Sequence, residues 1–232
     1  MKRVAVLQSN YIPWKGYFDI IGGVDEFIFY DDVQYTKNDW RNRNRIKTPR
    51  GSEWLTIPVF QKNLGQKIIE TKTASSNWRR KHWKTIQVNY ARSPYFKTFK
   101  DVFEELYLHS SETQLSKINE AFIRTINTVL GITTELKWSG DYRLKGDKNE
   151  RLVSLLKQAD ADIYISGPSA RNYLDEALFR EENIAIEWMD YSGYPEYYQP
   201  YPPFDHFVSI IDLIFNQGHE ATLYMKFNRT GQ

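Results

Sequence analysis

Residues 3–23 read RVAVLQSNYIPWKGYFDIIGG, and this stretch decides the fold of the chain. It opens with a short apolar run that is rich in β-branched side chains, which predicts a buried strand. A turn follows at residues 10–13, and Phe18, Ile20 and Ile21 then form a short helical face that ends at Gly22. A strand, a sharp turn and a helix in this order predict an α/β fold with an open, mostly parallel sheet.

Polar and aromatic residues are crowded into the turn after the first predicted strand. Ligands of open α/β sheets bind at the carboxyl ends of the strands, so this turn is expected to form the floor of the functional site. The candidate ligand-binding residues in it are Gln8, Asn10, Tyr11, Trp14, Gly16 and Tyr17, and Lys15 lies among them.

Composition limits the class of protein. The formal net charge of +2 gives no electrostatic reason to expect nucleic-acid binding. Cysteine is absent, which agrees with a reducing compartment. The chain shows no signal peptide and no apolar segment near the roughly 20 residues of a membrane span. We therefore expect a cytoplasmic protein without a membrane span, built as one domain over residues 1–232, and self-association stays open.

A second apolar run over residues 26–30 predicts a strand parallel to the first, and two acids, Asp31 and Asp32, follow it. Both acids are therefore expected at the same sheet edge as the first turn. Gln34 and Tyr35 come directly afterwards and are further candidate ligand contacts. An ordinary turn at the end of a strand explains the two acids equally well.

A basic segment follows and reads as a hairpin. Five basic residues and no acidic residue lie between 41 and 50, and the turn signal at residues 49–51 predicts a hairpin arm over about 41–60. Such a charge run is often only a solvated surface. The functional alternative is an anion clamp, because Arg binds phosphate in a bidentate manner and Asn adds neutral donors. The candidate ligand contacts here are Trp40, Arg41, Asn42, Arg43 and Asn44.

Helical spacing of apolar residues predicts a helical insert over about 76–131. His82 and His109 lie in it without metal-ligand spacing, which favours structural roles, and no metal site is evident elsewhere.

A second loop has the composition of a phosphate site. It follows a predicted strand at residues 161–165 and precedes a helix predicted to begin at Tyr173. Small residues let backbone N–H groups approach a ligand, and an arginine adds positive charge. The candidate contacts are Ser166, Gly167, Ser169 and Arg171, and the alternative is an ordinary turn between a strand and a helix.

Taken together, these segments resemble the WbqC-like family. The resemblance runs from Val4 to about Gly218, through residues 8–18, 31–35, 40–44, 54–59, 166–171 and 209–216. Members of that family are associated with gene clusters for bacterial O-antigen and related surface polysaccharides. The resemblance implies an enzyme of lipopolysaccharide (O-antigen) biosynthesis. Its reaction would transfer or ligate a small acyl group, for example glycine, to the amino group of a nucleotide-linked amino sugar.

A more distant resemblance concerns mechanism. The opening segment is similar to the first strand, turn and helix of the nucleotidylyltransferase superfamily, and residues 169–173 are similar to a loop of pantothenate synthetase, an amide-forming member. This implies a HUP/Rossmann-type architecture, with ATP and magnesium as cofactors. The superfamily turn reads Pro-x-His-x-Gly-His, whereas Trp14 and Tyr17 stand here at the histidine positions. The alternatives are a nucleotidylyltransferase and a non-catalytic sugar-nucleotide binding protein.

The enzyme interpretation assigns roles to these candidates. An attacking amine must lose a proton to become nucleophilic, so an acid is expected to orient or deprotonate it. The candidate catalytic residues are Asp31, Asp32 and Lys15, the candidate phosphate ligands are Arg41, Arg43 and Arg171, and the residues expected to stack on a sugar or a base are Trp14, Tyr17 and Trp40.

Overall fold

The computed structural model describes residues 1–227. Its main elements follow in the order β1 (Arg3–Leu7), α1 (Lys15–Gly22), β2 (Glu26–Phe29), β3 (Arg43–Thr48), β4 (Gly51–Thr56), β5 (Val59–Phe60), β6 (Lys72–Thr73), α2 (Asn77–Tyr90), α3 (Phe96–Glu104), α4 (Leu115–Leu130), β7 (Glu135–Trp138), α5 (Lys148–Gln158), β8 (Ile163–Ser166), α6 (Glu176–Glu181), β9 (Ala185–Trp188) and α7 (Ile210–Gln217). No helix of this part of the chain is long and apolar enough to cross a membrane.

Five strands form one parallel sheet in the spatial order β7-β2-β1-β8-β9. The chain moves from β1 through β2 to β7 at one edge, and then returns to the other side of β1 for β8 and β9. The strand order therefore reverses between β1 and β8, and doubly wound sheets bind ligands outside the carboxyl ends of the strands at that point. The predicted open α/β fold with a parallel sheet is confirmed.

Both faces of the sheet are covered, as the continuous apolar runs of its strands require. Ala5, Phe27 and Phe29 face the large core that includes residues of α1, α4 and α7. Val4 and Val6 point to the opposite face, where α5 and α6 pack. The alternation along β1 follows from the two-residue period of a strand.

The long connection between β2 and β7 carries the predicted hairpin and helices. β3 and β4 pair in an antiparallel manner, with Arg45 opposite Trp54. α2, α3 and α4 lie within the range predicted for the helical insert. The division of the chain into a single domain stays a prediction.

One helix begins later than expected. The sequence predicts a helix from Tyr173, but residues 168–172 form a 3₁₀ helix and α6 begins only at Glu176. Asp175 is the N-cap residue, because its side chain accepts a hydrogen bond from the backbone N–H of Ala177.

Candidate functional site

Arg41 lies at the carboxyl end of β1, where two amide side chains hold it. Its Nη2 atom donates to Gln8 Oε1 at 3.0 Å, and its Nη1 atom donates to Asn10 Oδ1. The carboxylate of Asp39 is 3.6 Å from Nη2, and the Arg41 side chain is 15% exposed. Since a guanidinium has five N–H donors, these contacts orient the group and leave donors for an anion. The structure thus brings three predicted site residues together.

Backbone contacts explain how the hairpin segment reaches β1. The Tyr11 N–H donates to the Trp40 carbonyl at 3.0 Å. From α4, the buried side chain of Asn119 donates to the Arg41 carbonyl at 2.8 Å and to Ser9 Oγ at 3.0 Å. The segment before β3 is therefore fastened to the turn after β1, which fixes the position of Arg41.

The two adjacent acids have different environments. Asp31 is fully buried, and both of its oxygens accept hydrogen bonds from Ser9. Burial raises the pKa of Asp31, and hydrogen bonds from Ser116 and Ser9 oppose that shift. Asp32 is only half-buried and accepts a hydrogen bond from Ser139 Oγ. Asp31 is placed to hold the turn, whereas Asp32 has access to solvent.

The loop after β8 forms the other side of the switch point. Ser166 is buried and donates to the Tyr164 hydroxyl at 3.3 Å, Gly167 is half-buried, and Ser169 is exposed. Exposed Arg171 lies over Trp188 of β9, with its guanidinium carbon 5.1 Å from the ring centre. Arg171 therefore lies at the end of β9.

Tyr173, which the sequence analysis did not select as a ligand contact, connects this loop to Arg41. Partial desolvation raises the pKa of Tyr173, and the positive charge of Arg41 lowers it, so the two side chains lie within electrostatic reach. Their approach spans the gap between β1 and β8. A tyrosine seven residues after a strand carries no sequence signal for this role.

Lys15 lies in a cluster of aromatic side chains. It is 2% exposed, and its Nζ atom is 4.5 Å from the centre of the Tyr194 ring. Burial lowers the pKa of Lys15 to about 8, although the charges of Asp19 and Asp212 act in the opposite direction. Within residues 1–227, Lys15 makes no ion pair with either of the two predicted catalytic acids.

Trp14 and Gly16 belong to the same cluster. The Trp14 ring packs edge to face against Tyr191, with ring centres 5.0 Å apart. A Cβ atom on Gly16 would lie 2.7 Å from Trp14 Cε2, which is far inside contact distance. Glycine at this position therefore permits the observed position of the indole.

Five further predicted contacts bind or pack against the protein itself. The Tyr11 hydroxyl is 2.9 Å from His82 Nδ1, the Tyr17 hydroxyl donates to the Gln8 carbonyl at 2.9 Å, Tyr35 is buried, Asn42 donates to the Ile57 carbonyl at 2.8 Å, and Asn44 donates to the carbonyls of Tyr11 and Ile12 at 3.1 and 2.9 Å. These side chains pack the hairpin and the helices against the first turn. Ligand contacts by them stay predictions.

The hairpin presents an exposed aromatic pair. The rings of Trp40 and Trp54 lie 5.4 Å apart, and the two residues are 40% and 44% exposed. The guanidinium carbon of Arg43 is 4.1 Å from the Trp54 ring centre. Gln34 is exposed and donates to the Leu64 carbonyl. Sequence reasoning missed Trp54, although its alternation with buried Leu55 indicates an outward side chain.

Metal ligation was tested against the same residues. Among residues 1–227, no group of three or more His, Asp or Glu side chains is placed to hold a metal ion. At the two positions where the nucleotidylyltransferase turn has histidines, Tyr17 bonds to a backbone carbonyl and Trp14 packs against aromatic rings. These side chains do not fit the phosphate-binding role of those histidines, so ATP with magnesium stays a prediction.

Comparisons with known proteins agree with this picture of a complete fold. The model of the WbqC-like protein family matches residues 8–224. The uncharacterized protein Rv1507c of Mycobacterium tuberculosis is 49% identical over 230 residues, which cover 99% of this chain and all of that protein. No solved structure matches the chain. The match over nearly the whole length shows that the chain belongs to the WbqC-like protein family.

Proposed function

We propose that this protein is an enzyme of O-antigen or related surface-polysaccharide biosynthesis. It would transfer or ligate a small acyl group, for example glycine, to the amino group of a nucleotide-linked amino sugar. Family membership supports the pathway, and the strand order supports a nucleotidylyltransferase-like sheet. We propose a cytoplasmic location, in agreement with the absence of cysteine.

The observation that carries the proposal is the position of Arg41. It is a partly covered cation at the point where the strand order reverses, and two amide oxygens and one carboxylate orient it. Charge-assisted bonds from an oriented guanidinium to phosphate are strong and directional. A nucleotide diphosphate bound between β1 and β8 would use this group.

Asp32 is the proposed general base. The ammonium group of the amino sugar loses a proton to the Asp32 carboxylate, the free amine attacks the carbonyl carbon of an activated acyl donor, and the leaving group departs as the amide bond forms. Asp31 has its oxygens bonded inside the protein, so it would position the Ser9 turn. No step is assigned to ATP itself.

Mass spectrometry tests the reaction directly. The protein is incubated with dTDP-4-amino-4,6-dideoxyglucose, glycine, ATP and magnesium, and one arm each omits ATP or glycine. We expect the sugar nucleotide to gain the mass of one glycyl group, and Asp32→Asn to lose turnover while it keeps nucleotide binding. No product across a panel of amino sugars and acyl donors would contradict the enzyme proposal.

A non-catalytic sugar-nucleotide binding protein is the second candidate. The aromatic residues at the two histidine positions favour it, because they lack the phosphate-binding groups of the superfamily turn. It predicts ligand binding without turnover. A nucleotidylyltransferase would instead release pyrophosphate from a nucleoside triphosphate and a sugar phosphate, without any acyl donor. A pyrophosphate assay of the same incubations separates these two outcomes.

A further inference from the structure

Lys15 is a buried cation whose hydrogen-bonding groups are unused. Its Nζ atom has no hydrogen-bond partner among residues 1–227. Lys47 is buried to the same degree, but its Nζ atom donates to the Pro203 carbonyl at 2.5 Å. Buried charges in proteins are normally paired, because removing an ion from water costs several kcal/mol. The contrast between the two lysines therefore calls for an acceptor at Lys15.

The nearby carboxylates do not provide that acceptor. Asp19 accepts hydrogen bonds from the Tyr194 hydroxyl and from the backbone N–H groups of Lys226 and Phe227. Asp212 accepts from the hydroxyls of Tyr90 and Tyr197 and from Gln199. Both carboxylates act on Lys15 through their charge, yet neither forms an ion pair with it. Their negative charge also disfavours an anion beside Lys15.

A second unpaired polar atom lies near the first. His206 Nδ1 is buried and has no hydrogen-bond partner among the described residues. Burial and then the charge of Lys15 lower the pKa of His206, so its imidazole is neutral at pH 7. The His206 ring centre is 6.2 Å from that of Tyr194, the ring over which Lys15 Nζ lies. An ammonium group and an imidazole thus border the same tyrosine, and neither is satisfied.

Aromatic rings connect this pair to the switch point. Trp14 packs against Tyr191 and Phe207 with ring centres 5.0 and 5.4 Å apart, and Phe207 is exposed. A Cβ atom on Gly167 would lie 3.6 Å from the Tyr191 hydroxyl, so this cluster reaches the loop after β8. Flat aromatic faces beside polar groups suit a ligand that has an apolar face and hydroxyl groups.

We propose that Lys15 and His206 form a sugar subsite next to the switch point. Lys15 donates to a neutral ring oxygen or hydroxyl of a pyranose, His206 bonds a neighbouring hydroxyl, and Trp14 and Tyr191 contact the apolar face of the ring. This inference rests on the proposed function, because it assigns the sugar of the nucleotide-linked substrate to this cluster. It goes further by separating the sugar from the phosphates, which Arg41 holds.

Matched lysine variants test the subsite. Lys15→Met, Lys47→Met and the wild type are compared by thermal unfolding, first alone and then with dTDP and with dTDP-glucose as probes. Without ligand, we expect Lys15→Met to raise Tm by about 2 °C or more, because it removes an unpaired buried charge. Lys47→Met is expected to lower Tm, because it leaves the Pro203 carbonyl unpaired.

Ligand binding gives the second readout. The wild type and Lys47→Met should bind dTDP-glucose more tightly than dTDP, and Lys15→Met should lose that difference, which is about 10-fold to 100-fold for one charge-assisted bond. His206→Phe, which retains a ring beside Phe204, should reduce the difference as well.

The outcomes separate the two proposals. If Lys15→Met lowers Tm as Lys47→Met does, or keeps the full preference for dTDP-glucose, the subsite is overturned while nucleotide binding stands. A wild type that binds neither probe contradicts both the subsite and the proposed function.

Discussion

Ser9 donates two hydrogen bonds to Asp31, one from its backbone N–H at 2.8 Å and one from its hydroxyl at 2.6 Å. Ser9 follows β1 and Asp31 follows β2, and both residues are fully buried. The pair therefore connects the ends of two adjacent parallel strands, at the start of the turn that carries Asn10. This connection explains why an acid that looks catalytic in the sequence is placed to hold the site together.

Asp31→Asn should destabilise the protein. The amide group can accept at only one position, so its NH₂ group would face one of the two Ser9 donors inside the core. We expect the free energy of unfolding to fall by about 1–3 kcal/mol, measured by urea denaturation. Asp32→Asn is the matched control, since Asn can still accept from Ser139, and it should change stability by less than about 0.5 kcal/mol. Equal effects of the two variants would contradict the positioning role of Asp31.

Arg41→Lys should weaken nucleotide binding although the charge is kept. A lysine cannot contact Gln8 and Asn10 in the planar, forked manner of a guanidinium, so the cation loses its fixed orientation. We expect dTDP to bind about 10-fold to 100-fold more weakly by isothermal titration calorimetry. Arg180→Lys, at an exposed position on α6, serves as the control. Unchanged affinity in Arg41→Lys would show that Arg41 does not hold the nucleotide phosphates.

The elements of the sheet could be predicted because their signals are local. The apolar run of β1, the turn at residue 51 and the cap of α5 at Asp147 each lie within a few residues of the structure they specify. The order of the strands depends on pairing between distant segments, which no local pattern encodes. The predicted edge of the sheet was therefore correct, while the reversal between β1 and β8 came only from the structure.

The candidate site was harder to predict, because a polar side chain does not show in the sequence where its partner lies. Tyr11 looks like a ligand contact beside a strand end, yet α2 supplies His82 as its partner from 71 residues away. Asn44 reads as part of an anion clamp, but its amide binds the backbone of the first turn. Trp54 was missed because the basic run on the opposite strand of the hairpin dominated the pattern.

Gly16→Ala should disturb the aromatic cluster. Alanine favours a helix by up to about 1 kcal/mol over glycine, but the added Cβ atom would displace the Trp14 indole from its packed position. We expect a net loss of about 1–3 kcal/mol in the free energy of unfolding, together with a changed near-ultraviolet circular dichroism spectrum. Gly140→Ala is the control, because nothing lies within 4 Å of its added Cβ atom. A more stable Gly16→Ala protein with an unchanged spectrum would refute the requirement for glycine.

His82 should make the protein sensitive to mild acid. Burial lowers its pKa to about 4 from 6.5, although a hydrogen bond with the Thr56 backbone opposes this. Between these pH values the unfolded chain binds the extra proton, so stability rises with pH and is lost as pH falls from about 6.5 towards 4. His82→Gln should therefore lose about 2 kcal/mol less than the wild type between pH 7 and pH 5, in urea denaturation at each pH. Exposed His109→Gln should follow the wild type, and parallel curves for all three proteins would show that His82 is not held neutral.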